Sequence, residues 1–262
     1  MELNDLVENA SELLSVLKKI LIIFVFFFLF FFFLSLNFFY YDGVPIPYFY
    51  PNFYHSISLD FFLFIKENLL PKGIILININ PFDLLTIDVY SSLSLAFICS
   101  YPFIVFFLFQ YLSPAIYRKE KKLFIYVSIF GTLLFILGAL FAFYIVVPLL
   151  FDFVIRFSQV LNVEPTVSVL GFFTFTVKMI IFTGIAFEMP LVIVSLVYLD
   201  ILKPETLFKN WRYAVVISFF LALLISPGTT GGIIETFIGT TLSLLYFGGA
   251  IVGKYIYKRK SK

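Results

Sequence analysis

The chain has 262 residues, 18 of them basic and 16 acidic, a formal charge of +2, and 61% hydrophobic residues. Its mean hydropathy is +1.05. A soluble domain carries about a quarter charged residues to cover its core, and the 13% here excludes one. The small net charge gives no argument for a nucleic-acid partner. One cysteine, Cys99, excludes an intrachain disulfide, and one histidine, His55, leaves no cluster for a metal.

Charges divide the chain into apolar runs. Residues 20–41 lie between Lys19 and Asp42, 89–117 between Asp88 and Arg118, and 123–151 between Lys122 and Asp152. About 20 helical residues cross a ~30 Å hydrocarbon core, and only a complete helix satisfies its backbone there. These runs predict spans at about 20–41, 85–110 and 123–150. A cleaved signal peptide is the rival reading of the first, but the run is too long and no small-x-small site follows. Its Phe26–Phe33 stretch reads as hydrocarbon-facing surface.

Residues 42–87 form a long outer loop after the first span. Pro45, Pro47 and Pro51 interrupt any helix at its start. Ser58–Leu70 reads as a helix lying at the membrane interface rather than a seventh span, and Asn80-Pro-Phe-Asp83 marks the start of span two. A fourth span, 168–198, carries Lys178 and Glu188. A fifth, about 212–226, stops at Pro227-Gly228 after roughly 13 helical residues, or about 20 Å. A sixth, 233–252, has Glu235 near one end. The last two spans read as short and are joined by the turn 226–232. The expected fold is one all-α polytopic membrane domain, 1–262.

Six spans place both termini on one side. Fourteen Lys and Arg residues fall on that side, including Lys18, Lys19, Arg118, Lys119, Lys121 and Lys122; three, Lys66, Lys72 and Arg156, fall on the other. The positive-inside rule makes the richer side cytoplasmic. The expected location is the cell membrane, with both termini inside. The basic tail 258–262 reads as an anchor near anionic headgroups.

The inventory of catalytic motifs is empty. There is no His-Glu-x-x-His, no Gly-x-Ser-x-Gly, no phosphate-binding lysine loop and no dinucleotide fingerprint. The expectation is a protein that is not an enzyme and takes no cofactor or metal. Two places nevertheless break the rules of an inert bundle. The loop Ser113-Pro-Ala-Ile-Tyr-Arg-Lys-Glu-Lys-Lys122 sets one acid, Glu120, among four bases. Glu188 stands mid-span in Gly184-Ile-Ala-Phe-Glu-Met-Pro190, where an ionisable group costs about 2.5–3.5 kcal/mol on insertion scales. Pro190 removes a backbone hydrogen bond and kinks the helix there. Lys178 is ten residues earlier, about 15 Å along the axis, too far for direct pairing.

These segments carry a resemblance. The 113–122 loop resembles the first cytoplasmic loop of the TatC family, the multi-span subunit of the twin-arginine protein translocase. Leu137-Gly-Ala-Leu-Phe-Ala-Phe-Tyr144 with Pro148 is similar to that family's third span. Gly184–Pro190 resembles its fourth, and Leu202–Leu207 and Trp211–Val216 resemble its second cytoplasmic loop and fifth span. The similarity runs from about Pro81 to Gly253. Some family marks differ. The N-terminal Glu-x-Leu-x-Glu-Leu-Arg reads Glu12-Leu-Leu-Ser-Val16-Leu-Lys18, or in a register shifted by four takes Glu8 and Glu12 as its acids with Leu14 at the basic position. The loop motif ends in Lys122 rather than Arg, the Pro-Asp turn after span five reads Pro227-Gly228, and Asn68 replaces an outer-loop proline.

The resemblance implies a receptor for twin-arginine signal peptides of folded precursor proteins. Glu120 would accept the guanidinium forks, with Tyr117 as a wall, Pro114 turning the loop, Lys121 and Lys122 beside it, and Glu12 as a second contact. The apolar part of the peptide would enter near Glu188, with Lys178, Phe187 and Pro190 around it. Single-span TatA-like subunits, TatB-like ones where they exist, lipid and further copies of the chain are the implied partners. The alternative is a small-molecule or ion transporter with Glu188 and Lys178 as its relay. It predicts inverted repeats, and the sequence has no convincing internal repeat.

Overall fold

The computed structural model describes residues 3–41, 44–52, 54–112, 121–226, 228 and 230–260. The chain forms two compact units, residues 1–124 with 166–175, and residues 125–165 with 176–262.

In the first unit, helix α1 (Leu3–Phe33) runs into strand β1 (Leu34–Tyr41), which pairs antiparallel with β2 (Val44–Pro51). Helix α2 (Ile57–Leu69), strand β3 (Ile75–Ile77) and helix α3 (Asp83–Leu112) follow, and β4 (Thr166–Ser168) pairs parallel with β3. The α1 helix packs along α3, with the Phe27 and Phe103 rings 6.4 Å apart and Lys19 Nζ 5.9 Å from the Phe107 ring. The α2 helix starts at Ser56, whose hydroxyl accepts from the Leu59 N–H as an N-cap. It buries Phe62, Ile65 and Leu69, and Phe62 meets the Phe173 ring edge-on at 5.5 Å.

The second unit holds most of helix α4 (Lys121–Phe141), a π-helical turn (Ala142–Val146) and helix α5 (Val147–Leu161) as one continuous run. The wide turn precedes Pro148, which has no N–H to continue the ladder. The α5 helix stops at Asn162, in the left-handed region at φ 52°. Helices α6 (Val169–Ala186), α7 (Met189–Tyr198), α8 (Pro204–Lys209), α9 (Trp211–Ile225) and α10 (Ile233–Lys260) complete the chain. The α10 helix packs on α7 and α9. Ile193, Val197, Leu207 and Ala250 form a buried cluster there, closed by the Tyr246 hydroxyl donating to the Leu207 carbonyl at 3.0 Å. Close packing is required at Gly249, where a Cβ would lie 2.8 Å from Pro190 Cα. Lys260 Nζ donates to Asp200 at 2.5 Å and to the Tyr198 carbonyl at 3.1 Å.

Among the described residues, five helices are long and apolar enough to cross a membrane, and Trp211–Ile225 is a shorter apolar one. That agrees with six spans and a short fifth, and α2, at 13 residues, is too short to be a seventh. The boundaries differ from expectation in three places. The first span does not reach residue 41 as a helix: α1 ends at Phe33, and Leu34–Tyr41 is a strand. Its Ser, Asn and aromatic residues favour extended structure over helix, and the proline-rich partner offers only a strand to pair with. The third helical run continues to Leu161, where Asp152 and Arg156 form an exposed i,i+4 bridge of 2.7 Å. The sixth helix is not short as expected: α10 runs 28 residues, past residue 252 to Lys260, because no proline interrupts it and its basic last turn suits the negative end of the helix dipole. The two short sheets are additions to the expected all-helical fold.

Candidate functional site

Pro114, Tyr117 and Glu120 lie outside the described residues. Lys121 and Lys122 begin α4, so the loop's basic end opens directly into a helix. Glu12 sits on the exposed surface of α1, in its first half.

Glu188 is placed at a break in the fourth span. The α6 helix ends at Ala186, α7 begins at Met189, and Pro190 occupies the second position of α7. The expected kink is thus a two-residue turn, Phe187–Glu188, between the helices, and it falls upstream of the proline for a steric reason. The pyrrolidine ring excludes the carbonyl four residues back, that of Ala186, and supplies no N–H to it. The Glu188 N–H bonds instead to the Ile185 carbonyl, three residues back, at 3.1 Å, and the Phe187 N–H to Thr183 at 3.0 Å. Glu188 is half-buried, with one carboxylate oxygen closed off from solvent.

Small residues and aromatic rings build the wall around this break. A Cβ on Gly138 would lie 2.7 Å from Phe187 Cβ, and one on Gly184 would lie 2.7 Å from the Phe135 ring. Glycine at these two positions lets α4 and α6 approach at the level of the break. The Phe187 ring lies 5.2 Å from Phe141, which stacks on Phe237 at 5.8 Å with planes 10° apart. Glu188, Phe187 and Pro190 are therefore brought together. Lys178 is not: it is exposed on α6, with its ammonium 5.9 Å over the Phe182 ring. A relay through Lys178 and Glu188 finds no support in this placement.

Two acidic clusters escaped the sequence reading. Asp88, 3% exposed on α3, accepts from Ser56 Oγ at 2.9 Å and also from Ser58 Oγ. Glu235, 5% exposed in the first turn of α10, accepts from Ser226 Oγ at 2.7 Å and Thr230 Oγ1 at 2.5 Å. Asp88 marks the edge of an apolar run, and its distant serine partners have no signature in spacing. Glu235 did carry a signal, an acid at the first turn of a helix preceded by Ser and Thr. Among the described residues no group of three His, Cys, Asp or Glu side chains could hold a metal.

A set of membrane-length helices with a carboxylate at an interrupted span defines a polytopic helical membrane protein with a polar feature inside its apolar belt. Residues 9–238 match the family model described as Sec-independent protein translocase protein (TatC). The chain is 34% identical over 189 residues to the Sec-independent protein translocase protein TatC of Aquifex aeolicus, covering 71% of this chain and 77% of that one. It is 30% identical over 190 residues to TatCy of Bacillus subtilis, covering 71% and 74%. The fold superposes on a crystal structure of the twin-arginine translocase receptor TatC with a TM-score of 0.75 and 29% identity, over 95% of this chain and 99% of that one. The chain belongs to the TatC family.

Proposed function

We propose that this chain is the receptor that takes twin-arginine signal peptides through Glu120 and passes their apolar segment toward the break at Glu188. It is the multi-span subunit of the twin-arginine translocase and a component of protein transport. The observation that carries the receptor reading is the likeness to the solved receptor across nearly the whole chain. The chemistry of the peptide contact supports it. Two adjacent guanidinium groups present planar forks that a carboxylate accepts in bidentate fashion, and Glu120 is the single acid in a loop of four bases. Those bases hold the loop near anionic lipid and discourage indiscriminate cation binding.

Both termini and the 113–122 loop are cytoplasmic in this reading, by the basic asymmetry of the loops. Cysteine labelling from outside intact cells should then reach residues 157–165 and spare 115–122. TatA-like single-span subunits and further copies of the chain assemble beside it, since six helices alone give no passage for a folded domain.

The test is binding of a twin-arginine peptide to the intact membrane protein. Glu120→Gln should stay inserted and lose about ten- to a hundredfold in affinity, the equivalent of a charge-assisted hydrogen bond of about 1.5–3 kcal/mol. A twin-lysine peptide should lose little further on the variant. Wild-type affinity for Glu120→Gln would make the residue a solvated loop acid, whose surface pairs contribute about 0–1 kcal/mol.

A further inference from the structure

The β1–β2 hairpin follows α1 without a break at its C-terminal end, with Lys18 and Lys19 at the middle of the helix. From Ile20 to Phe33 the helix offers 14 residues, about 21 Å at 1.5 Å per residue, against a hydrocarbon core of about 30 Å. With Lys18 and Lys19 at the headgroups, α1 ends before the hydrocarbon does. Yet the chain stays uncharged through Tyr41. The hairpin therefore starts at membrane depth.

An open hairpin at that depth faces one physical objection, the unpaired N–H and C=O groups along its edges. The register answers half of the N–H positions, and water and headgroups at the membrane boundary are left to take the rest. The Asn52 N–H bonds to the Phe33 carbonyl. Pairs alternate between bonded and non-bonded in an antiparallel ladder, so Ser35/Tyr50 and Asn37/Tyr48 are bonded pairs, while Leu34/Pro51, Leu36/Phe49, Phe38/Pro47 and Tyr40/Pro45 are not. Residues of the second set aim their backbone N–H outward. On β2 three of those four residues are proline and have no N–H to leave unpaired. On β1 the outward N–H of Phe38 is taken by the Asn37 side chain at 2.8 Å. The prolines that forbid a helix also blunt the edge.

The second set also shares one face of the hairpin, because directly opposed residues point the same way. Over Leu34–Phe38 and Pro47–Pro51 that face is apolar, and Leu36, Phe38 and Phe49 are 38%, 50% and 53% exposed. The other face carries the polar groups, including Ser35, Asn37 and Tyr48. The apolar face continues the lipid-facing surface of α1: the Phe49 ring packs edge-on against Phe30 at 5.1 Å, and Phe26, Leu29 and Phe33 on that helix are exposed as well.

We infer that the hairpin is a membrane anchor, seated in the boundary between hydrocarbon and headgroups, with the Leu36–Phe38–Phe49 face in lipid. Aromatic-rich surfaces partition to that zone, the prolines leave the β2 edge with few donors for a third strand, and water and headgroups at the boundary reach the remaining backbone groups. The anchor would fix the far end of α1 and the start of the outer loop relative to the bilayer, independently of what the protein transports.

The experiment places a single tryptophan in the full-length protein, after Trp211→Phe removes the native one, in phosphatidylcholine–phosphatidylglycerol vesicles. Phe38→Trp and Phe49→Trp report the apolar face; Leu36→Trp reads the same face if either disturbs assembly. Tyr54→Trp, at a position 82% exposed just beyond the hairpin, is the aqueous control. Nitroxides on lipid chains near the headgroups should remove roughly half or more of the emission from the face, and aqueous iodide should quench it at least about threefold less than the control. Iodide quenching equal to that of Tyr54→Trp would overturn the proposal by placing the face in water. Shielding from both quenchers would overturn it too, because protein rather than lipid would then cover the hairpin.

Discussion

Asp88 and Glu235 are carboxylates buried at the ends of apolar helices, and each is held by two hydroxyls from the segment that precedes its helix or lies against it. Glu188 differs in what surrounds it. It lies at an interruption of backbone made by a proline, on a wall of phenylalanine rings and close-packed glycines. In the first two cases a neighbouring segment has been recruited to the acid, the start of α2 to Asp88 and the turn before α10 to Glu235, and what the contact determines is how that segment sits. At Glu188 the helix itself has been opened at an acid within the apolar belt. Burial of a carboxylate is therefore not by itself a sign of function in this molecule; the origin of the groups around it is.

The largest effects should come from the two clamped acids. Glu235→Ala strands two hydroxyls in a buried site, and Asp88→Ala takes the acceptor from Ser56 and Ser58, whose hydroxyls are left only each other to donate to. Hydrogen bonds to a charged group contribute about 1.5–3 kcal/mol, and a stranded polar group adds its own penalty, so each variant should lose about 2–4 kcal/mol of stability. Denaturant unfolding of the purified protein in detergent measures this. Export should fall only as far as the amount of folded protein falls. A loss under about 0.5 kcal/mol, the scale of a surface change, would mean that the hydroxyls find other partners and that the clamp contributes little.

Glu188 should show the reverse pattern. Gln keeps the shape and hydrogen bonding of the side chain and removes its possible charge, whereas Ala removes both. A functional carboxylate predicts that Glu188→Gln and Glu188→Ala both impair export while stability shifts by about 1 kcal/mol or less. A structural hydrogen bond predicts that Gln is tolerated and Ala destabilises, which would place Glu188 with the clamped acids and dissolve the comparison. Export assays on membranes with matched amounts of inserted protein separate the outcomes.

The contrast also marks what was legible in the sequence. Apolar runs between charges located the spanning helices because lipid imposes a minimum length on them, and Glu188 stood out because a carboxylate in such a run is expensive. Pro190 announced a disturbed helix. Hydrophobicity could not separate helix from strand over Leu34–Tyr41, since lipid accepts both once their backbones are paired; the deciding information was the proline spacing of a different segment, residues 45–51. The Asp88 clamp was illegible for a related reason. Ser56 and Ser58 are 32 and 30 residues away from it, and only the docking of α2 on α3 brings them together. The 113–122 loop was readable in its residue types alone.

The smallest expected effect concerns Asp60, a fourth acid with neither clamp nor broken helix. It lies exposed in the first turn of α2, followed by Phe61 and Phe62. Partial burial pushes its carboxyl above the ordinary carboxylate range, and the charge of His55 opposes that shift. A raised pKa in the folded state means that the native protein binds its proton more tightly than the unfolded chain does. Asp60 therefore contributes most favourably below the unfolded value, and that contribution is lost as pH rises through the folded one. Solvent screening of an exposed group keeps the effect within about 0.5 kcal/mol. Unfolding followed between roughly pH 3 and 7 should show this shallow decline, and Asp60→Asn should flatten it while leaving the steeper dependence of the other carboxylates in place. A titration of Asp60 at or below the ordinary carboxylate value would show that water reaches it as freely as it reaches an unfolded chain.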